Sequence, residues 1–93
     1  MKLKEAHSLD DAAERSGLTP DVIVRYISFE WIVPCEFSED LQHQTFDKED
    51  LARISLIKQL QDEFGVNDES VPIILHLIDQ LNRTQLLLKS DYF

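Results

Sequence analysis

The chain has 93 residues, one domain's worth, with nine basic residues against eighteen acidic ones and a formal charge of −9. That balance opposes non-specific binding to nucleic acid, because a polyanion meets a repulsive field, and it favours a basic protein surface as partner. The single cysteine, Cys35, rules out an intrachain disulfide, the N-terminal stretch lacks the apolar core of a signal peptide, and no window reaches the length of a membrane span, so a cytoplasmic domain is expected.

Met1 to His7 is polar apart from Leu3 and Ala6 and is read as a lead-in strand or a loose end. A helix-turn-helix with its exit is expected over 8–34. Ser8 is an N-cap, Leu9, Ala12 and Ala13 follow at helical spacing, and Gly17 supplies the permissive position after the last turn. Thr19 and Pro20 restart the chain as N-cap and first helical residue, and Val22, Ile23, Tyr26 and Ile27 form the apolar stripe of the second helix. Phe29, Trp31, Ile32 and Val33 are dense and aromatic enough to predict a buried extended segment, stopped by Pro34.

Residues 35–46 are read as a short hairpin with apolar anchors at Phe37, Leu41 and Phe46 and a tip near Ser38 to His43. A third helix is expected over 47–65. Asp47 caps it, Asp50 stands at the capping-box position, Leu51, Ile54, Ile57, Leu60 and Phe64 mark its buried face with Leu56 widening it, and Gly65 ends it. After a polar connection, Pro72 opens a long fourth helix over 71–89. That helix is apolar on more than one face. Ile74, Ile78, Leu81 and Leu88, with Gln85 between, alternate by four and three, a seam that suits pairing of two copies in a homodimer.

Chemistry-bearing groups are sparse. His7, His43 and His76 lack the i, i+4 spacing of a zinc helix, Cys35 has no neighbouring His or Lys, and two glycines leave little backbone for an oxyanion hole or phosphate loop. Neither an enzyme nor a metal or cofactor site is expected. The acidic residues stand out instead: Asp10, Asp11 and Glu14 on the first helix, Asp21 opening the second, and Glu36, Glu39 and Asp40 in the hairpin. Solvated faces and dipole-favoured first turns account for such residues as readily as a partner does.

The order of elements, together with Arg25-Tyr26, Trp31-Ile32-Val33-Pro34 and the run Thr45 to Leu51, resembles the MerR-like winged helix-turn-helix: a mainly α fold, with a hairpin wing and a long C-terminal helix, in one domain over 1–93. Asp21 and Val22 stand where DNA-reading members carry basic residues, and Glu36, Glu39 and Asp40 replace the arginines of their wing. Gly17-Leu18-Thr19, Ile32-Val33-Pro34, Thr45-Phe46-Asp47 and Pro72 resemble the CbpM-type chaperone modulators. That resemblance implies a protein that binds the J-domain of a DnaJ-like, DNA-binding co-chaperone through the acidic residues above and restrains its stimulation of Hsp70. The alternatives are a MerR-like DNA-binding transcriptional regulator and a plain dimerisation module.

Overall fold

The described residues form four helices: α1 (Leu9–Ser16), α2 (Pro20–Ser28), α3 (Lys48–Asp62) and α4 (Val71–Tyr92). The computed structural model describes residues 6–36, 38–40 and 43–92, with the side chains of α4 described as far as Leu86. The fold is mainly helical.

Each helix begins and ends on local chemistry. The Ser8 hydroxyl accepts the Asp11 N–H at 3.1 Å, capping α1. Past Ser16 the chain turns through Gly17 at φ 73°, with Leu18 N–H on the Ala13 carbonyl and Gly17 N–H on the Glu14 carbonyl, the pair of bonds of a Schellman turn. Pro20 opens α2, and Asp47 and Asp50 form a full capping box on α3, each carboxylate accepting the other's backbone N–H at 2.9 and 3.0 Å. The shorter reach of aspartate is sufficient here, because Asp50 also accepts the Cys35 N–H at 2.9 Å and is held by both segments.

Helix α2 closes with the same turn as α1 but a different residue. Trp31 N–H bonds the Tyr26 carbonyl and Glu30 N–H that of Ile27, so Glu30 occupies the left-handed position, φ 63°, usually given to glycine. The Tyr26 and Trp31 rings, 5.5 Å apart, supply the apolar contact that accompanies such turns. A glutamate there is strained by roughly 1–2 kcal/mol.

The core joins Leu9, Ala12 and Ala13 of α1, Ile23, Tyr26 and Ile27 of α2, Ile54 and Ile57 of α3, and Val71 and Leu75 of α4 around Phe46, Trp31 and Ile32. The two alanines let α1 lie against α2 and α3. Two single antiparallel bridges stitch the loops: His7 to Phe46, with both N–H···O bonds at 2.8 Å, and Glu36 to Thr45. The hairpin expected over 35–46 is therefore represented by one bridge at its base; its anchors Phe37 and Leu41 lie outside the described residues.

Arg53 fastens the outer layer. Its Nε donates to the Trp31 carbonyl at 2.8 Å, and its two terminal nitrogens grip the Asp79 carboxylate at 3.1 and 3.3 Å. One guanidinium so ties the exit of α2, α3 and α4 together, a geometry that its planar fork allows and a lysine does not.

Three expectations of burial are corrected. Phe64 is 67% exposed, because α3 ends at Asp62 and the residue no longer follows the helical register of Ile54 and Ile57. In the extended exit Trp31 and Ile32 are buried, but the Schellman turn swings Phe29 and Val33 outward. On α4 the predicted seam is divided: Ile74 and Ile78 are half-buried, Leu81 is exposed, and the side chain of Leu88 lies outside the described residues. The apolar stripe left in water runs through Ile73, Leu77 and Leu81, at i, i+4 and i+8. This helix has 22 residues, about 33 Å, and every described side chain from Asp79 to Leu86 is exposed. Its projection fits a radius of gyration of 14.6 Å, against about 12 Å for a compact chain of this length.

Candidate functional site

The acidic residues do not stand alike. On α1, Asp10 and Glu14 are one turn apart and exposed. Asp11, between them, is already engaged: its carboxylate bonds His7 Nδ1 and accepts Arg15 Nε at 3.0 Å. The His7 hydrogen bond first, and the Arg15 hydrogen bond next, hold its pKa below the ordinary 3.8. Asp11 thus positions the start of α1 and its charge is largely answered within the chain, whereas Asp10 and Glu14 face solvent. Asp21 stands exposed in the first turn of α2, where the helix dipole favours it.

Glu36, Glu39 and Asp40 are exposed on the loop. What shapes that loop is a residue the sequence did not single out, Gln44, 2% exposed. Its Oε1 accepts the Ser38 N–H at 2.9 Å, and its Nε2 donates to the carbonyls of Ser38 and, at 3.3 Å, Asp40. One amide side chain replaces a strand partner, so the loop needs no glycine turn. His43 adds a bond from Nδ1 to the Asp40 carboxylate at 2.7 Å. A shallow cleft of about 310 Å³, lined by Ala6, His7, Ser8, His43, Gln44 and Thr45, lies between this loop and the start of α1. No acidic residue of α1, α2 or the loop lines that cleft.

The ligating atoms of Cys35, Asp47 and Asp50 come within 4.8 Å of one another. Their chemistry is structural: both carboxylates accept cap N–H groups, and the Cys35 thiol donates to the Thr45 carbonyl at 3.3 Å. Desolvation, then the charges of Asp47, Asp50 and Glu36, push the thiol pKa up, the opposite of what a nucleophile or metal ligand needs.

Helix α2, the second of the helix-turn-helix, turns Ile23, Tyr26 and Ile27 inward and exposes Asp21, Arg25 and Ser28. Arg25 is the one cation on that face, and Tyr26, in the apolar stripe, is 4% exposed. The sequence model of the MerR HTH family of regulatory proteins matches residues 8–89, from the cap of α1 into the last turns of α4. The chain belongs to the MerR helix-turn-helix family. No curated protein matches it. As a MerR-family member it is a regulatory protein by description. Helix α2 carries one acid, Asp21, against one cation, Arg25, whereas the following loop carries Glu36, Glu39 and Asp40.

Proposed function

We propose that this MerR-family chain is a protein-binding regulator that engages the J-domain of a DnaJ-like co-chaperone and restrains its stimulation of Hsp70. The observation that carries the reading is the charge of the exposed surface. Asp10, Glu14, Asp21, Glu36 and Glu39 are exposed on α1, α2 and the loop, with Asp40 exposed beside them and bonded to His43, and Arg25 alone opposes them on α2. Such a surface suits the basic second helix that the CbpM-type resemblance assigns to the partner. Charge complementarity speeds encounter and sets specificity more than affinity. Inhibition follows by competition, since a basic helix occupied here is denied to Hsp70. Catalysis, cofactor and metal have no part in this mechanism, and the cytoplasm is where it would act.

The regulator works as a homodimer in this reading, paired through the stripe of Ile73, Leu77 and Leu81. Between residues 71 and 92 the cations Arg83 and Lys89 balance Asp79 and Asp91, so this element adds no net charge of its own to the meeting of two −9 chains. Burying three such side chains offers roughly 5–8 kcal/mol before association costs, enough for micromolar pairing.

The test measures binding of a purified J-domain and the J-domain-stimulated ATPase of Hsp70. Lysines at Asp10 and Glu14, or at Glu36, Glu39 and Asp40, are expected to slow association, with the difference shrinking at high salt. Unchanged binding in both sets would sink the proposal. Family membership itself favours a second reading, a DNA-binding transcriptional regulator using α2 in the major groove. Duplex binding that weakens steeply with salt would establish it in place of the first.

A further inference from the structure

Three features meet at the exit of α2 that folding does not require. Glu30 holds a left-handed backbone, φ 63°, where glycine would close the same turn without strain. Phe29 and Val33, large and apolar, are 47% and 70% exposed. Beside Val33 is an open cleft of about 430 Å³, lined by Ile27, Ser28, Glu30, Ile32, Val33 and Pro34. Most of its lining residues are apolar, and Glu30 is the charged residue among them.

We infer that this cleft receives a lysine or arginine side chain presented by a basic helix of a partner protein. The chemistry of that side chain is matched in both halves. An aliphatic stem lies against Ile27, Ile32 and Val33, as long cationic side chains do on apolar surface. The charged head meets Glu30 at the rim, beside the C-terminal end of α2, whose dipole adds negative potential. Among the described residues no basic side chain lines the cleft to compete, and the charge of −9 draws a cationic partner in. The strained Glu30 is then retained for its carboxylate, which glycine would lack. The inference deepens the proposal above, on which its identification of the partner rests, and gives that partner an anchoring point apart from the acidic faces of α1 and the loop.

Trp31 is the only tryptophan, so its emission reports on this corner of the fold. The full chain is titrated with two probes: the isolated J-domain of a DnaJ-like co-chaperone, followed by calorimetry, and a tryptophan-free, lysine-rich amphipathic helical peptide, followed by Trp31 emission. Glu30→Gln, which keeps the strained backbone, and Glu30→Gly, which relieves it, are both expected to weaken binding about fivefold or more. Glu69→Gln, removing one exposed charge elsewhere, is expected to change it less than twofold. Glu30→Gly should lose affinity while its melting temperature rises, which separates a lost contact from a damaged fold. Wild-type affinity in both Glu30 variants, or a Glu69→Gln loss equal to theirs, overturns the inference, as does failure of both probes to bind. Peptide binding that depends on Glu30 with no J-domain binding upholds the cleft and removes the J-domain reading. J-domain binding indifferent to Glu30 does the reverse.

Discussion

Two of the helix ends in this chain are the same turn built with different residues, and that permits a matched stability experiment. Gly17 at φ 73° and Glu30 at φ 63° each follow a helix and each donate to the carbonyl three residues back. A non-glycine residue in this region is strained by roughly 1–2 kcal/mol. Glycine gives back roughly 0.5–1 kcal/mol of that advantage through its larger entropy in the unfolded chain. Glu30→Gly should therefore stabilise the fold by about 0.5–1 kcal/mol, and Gly17→Ala should destabilise it by a similar amount. The second change is clean, since a Cβ at Gly17 would meet only Lys58 Cε at 3.8 Å, an ordinary contact. For a domain of this size the shifts in melting temperature are about 3–6 °C in opposite directions. Urea unfolding followed by Trp31, 6% exposed in the native state, measures both at one fixed chain concentration. A Glu30→Gly variant that is neutral or less stable would show that the carboxylate makes a stabilising contact in the free protein, and the strain argument would fail.

Arg53→Lys is expected to lose about 1–2 kcal/mol in the same assay, because an ammonium cannot reach the Trp31 carbonyl and both Asp79 oxygens at once; full stability in that variant would refute the anchoring role. Light scattering over a concentration series should find wild-type dimers at high micromolar concentration and monomers for Leu81→Asp or Leu77→Asp, and a dimer that survives both substitutions excludes the stripe as the interface. Asp11 has its pKa lowered in the fold, so its contribution is present above the ordinary 3.8 and is lost as pH falls through the depressed value. Asp11→Asn should accordingly flatten the acid limb of the stability curve below about pH 4 and leave the neutral side unchanged in slope, and an acid limb as steep as the wild type's would show that other carboxylates control it.

The features legible in the sequence are those decided within about five residues of chain. Ser8 with Asp11, Gly17 with Ala13 and Glu14, Pro20, and Asp47 with Asp50 each satisfy backbone groups left over at a helix end, and the residues that do so sit next to them in sequence. The alternation of Leu9, Ala12, Ala13 and of Ile54, Ile57 likewise names the faces that pack, because helical geometry alone brings them together. The acidic character of the candidate surface was readable as composition, but which acids are open was not. Asp11 is answered by His7, whose place depends on its bridge to Phe46, 39 positions along the chain. Gln44 shows the same limit: nothing in its type or neighbours marks it, and only the folded loop turns its amide onto Ser38. Arg53 reaches partners 22 and 26 positions away, and those contacts seat one side of α4 on the domain, so that Ile73, Leu77 and Leu81 are left outside instead of the full predicted seam. Apolar pattern tells that a helix has more than one greasy face; which face the domain covers is set by how the other three helices are packed, a property of contacts distant in the chain.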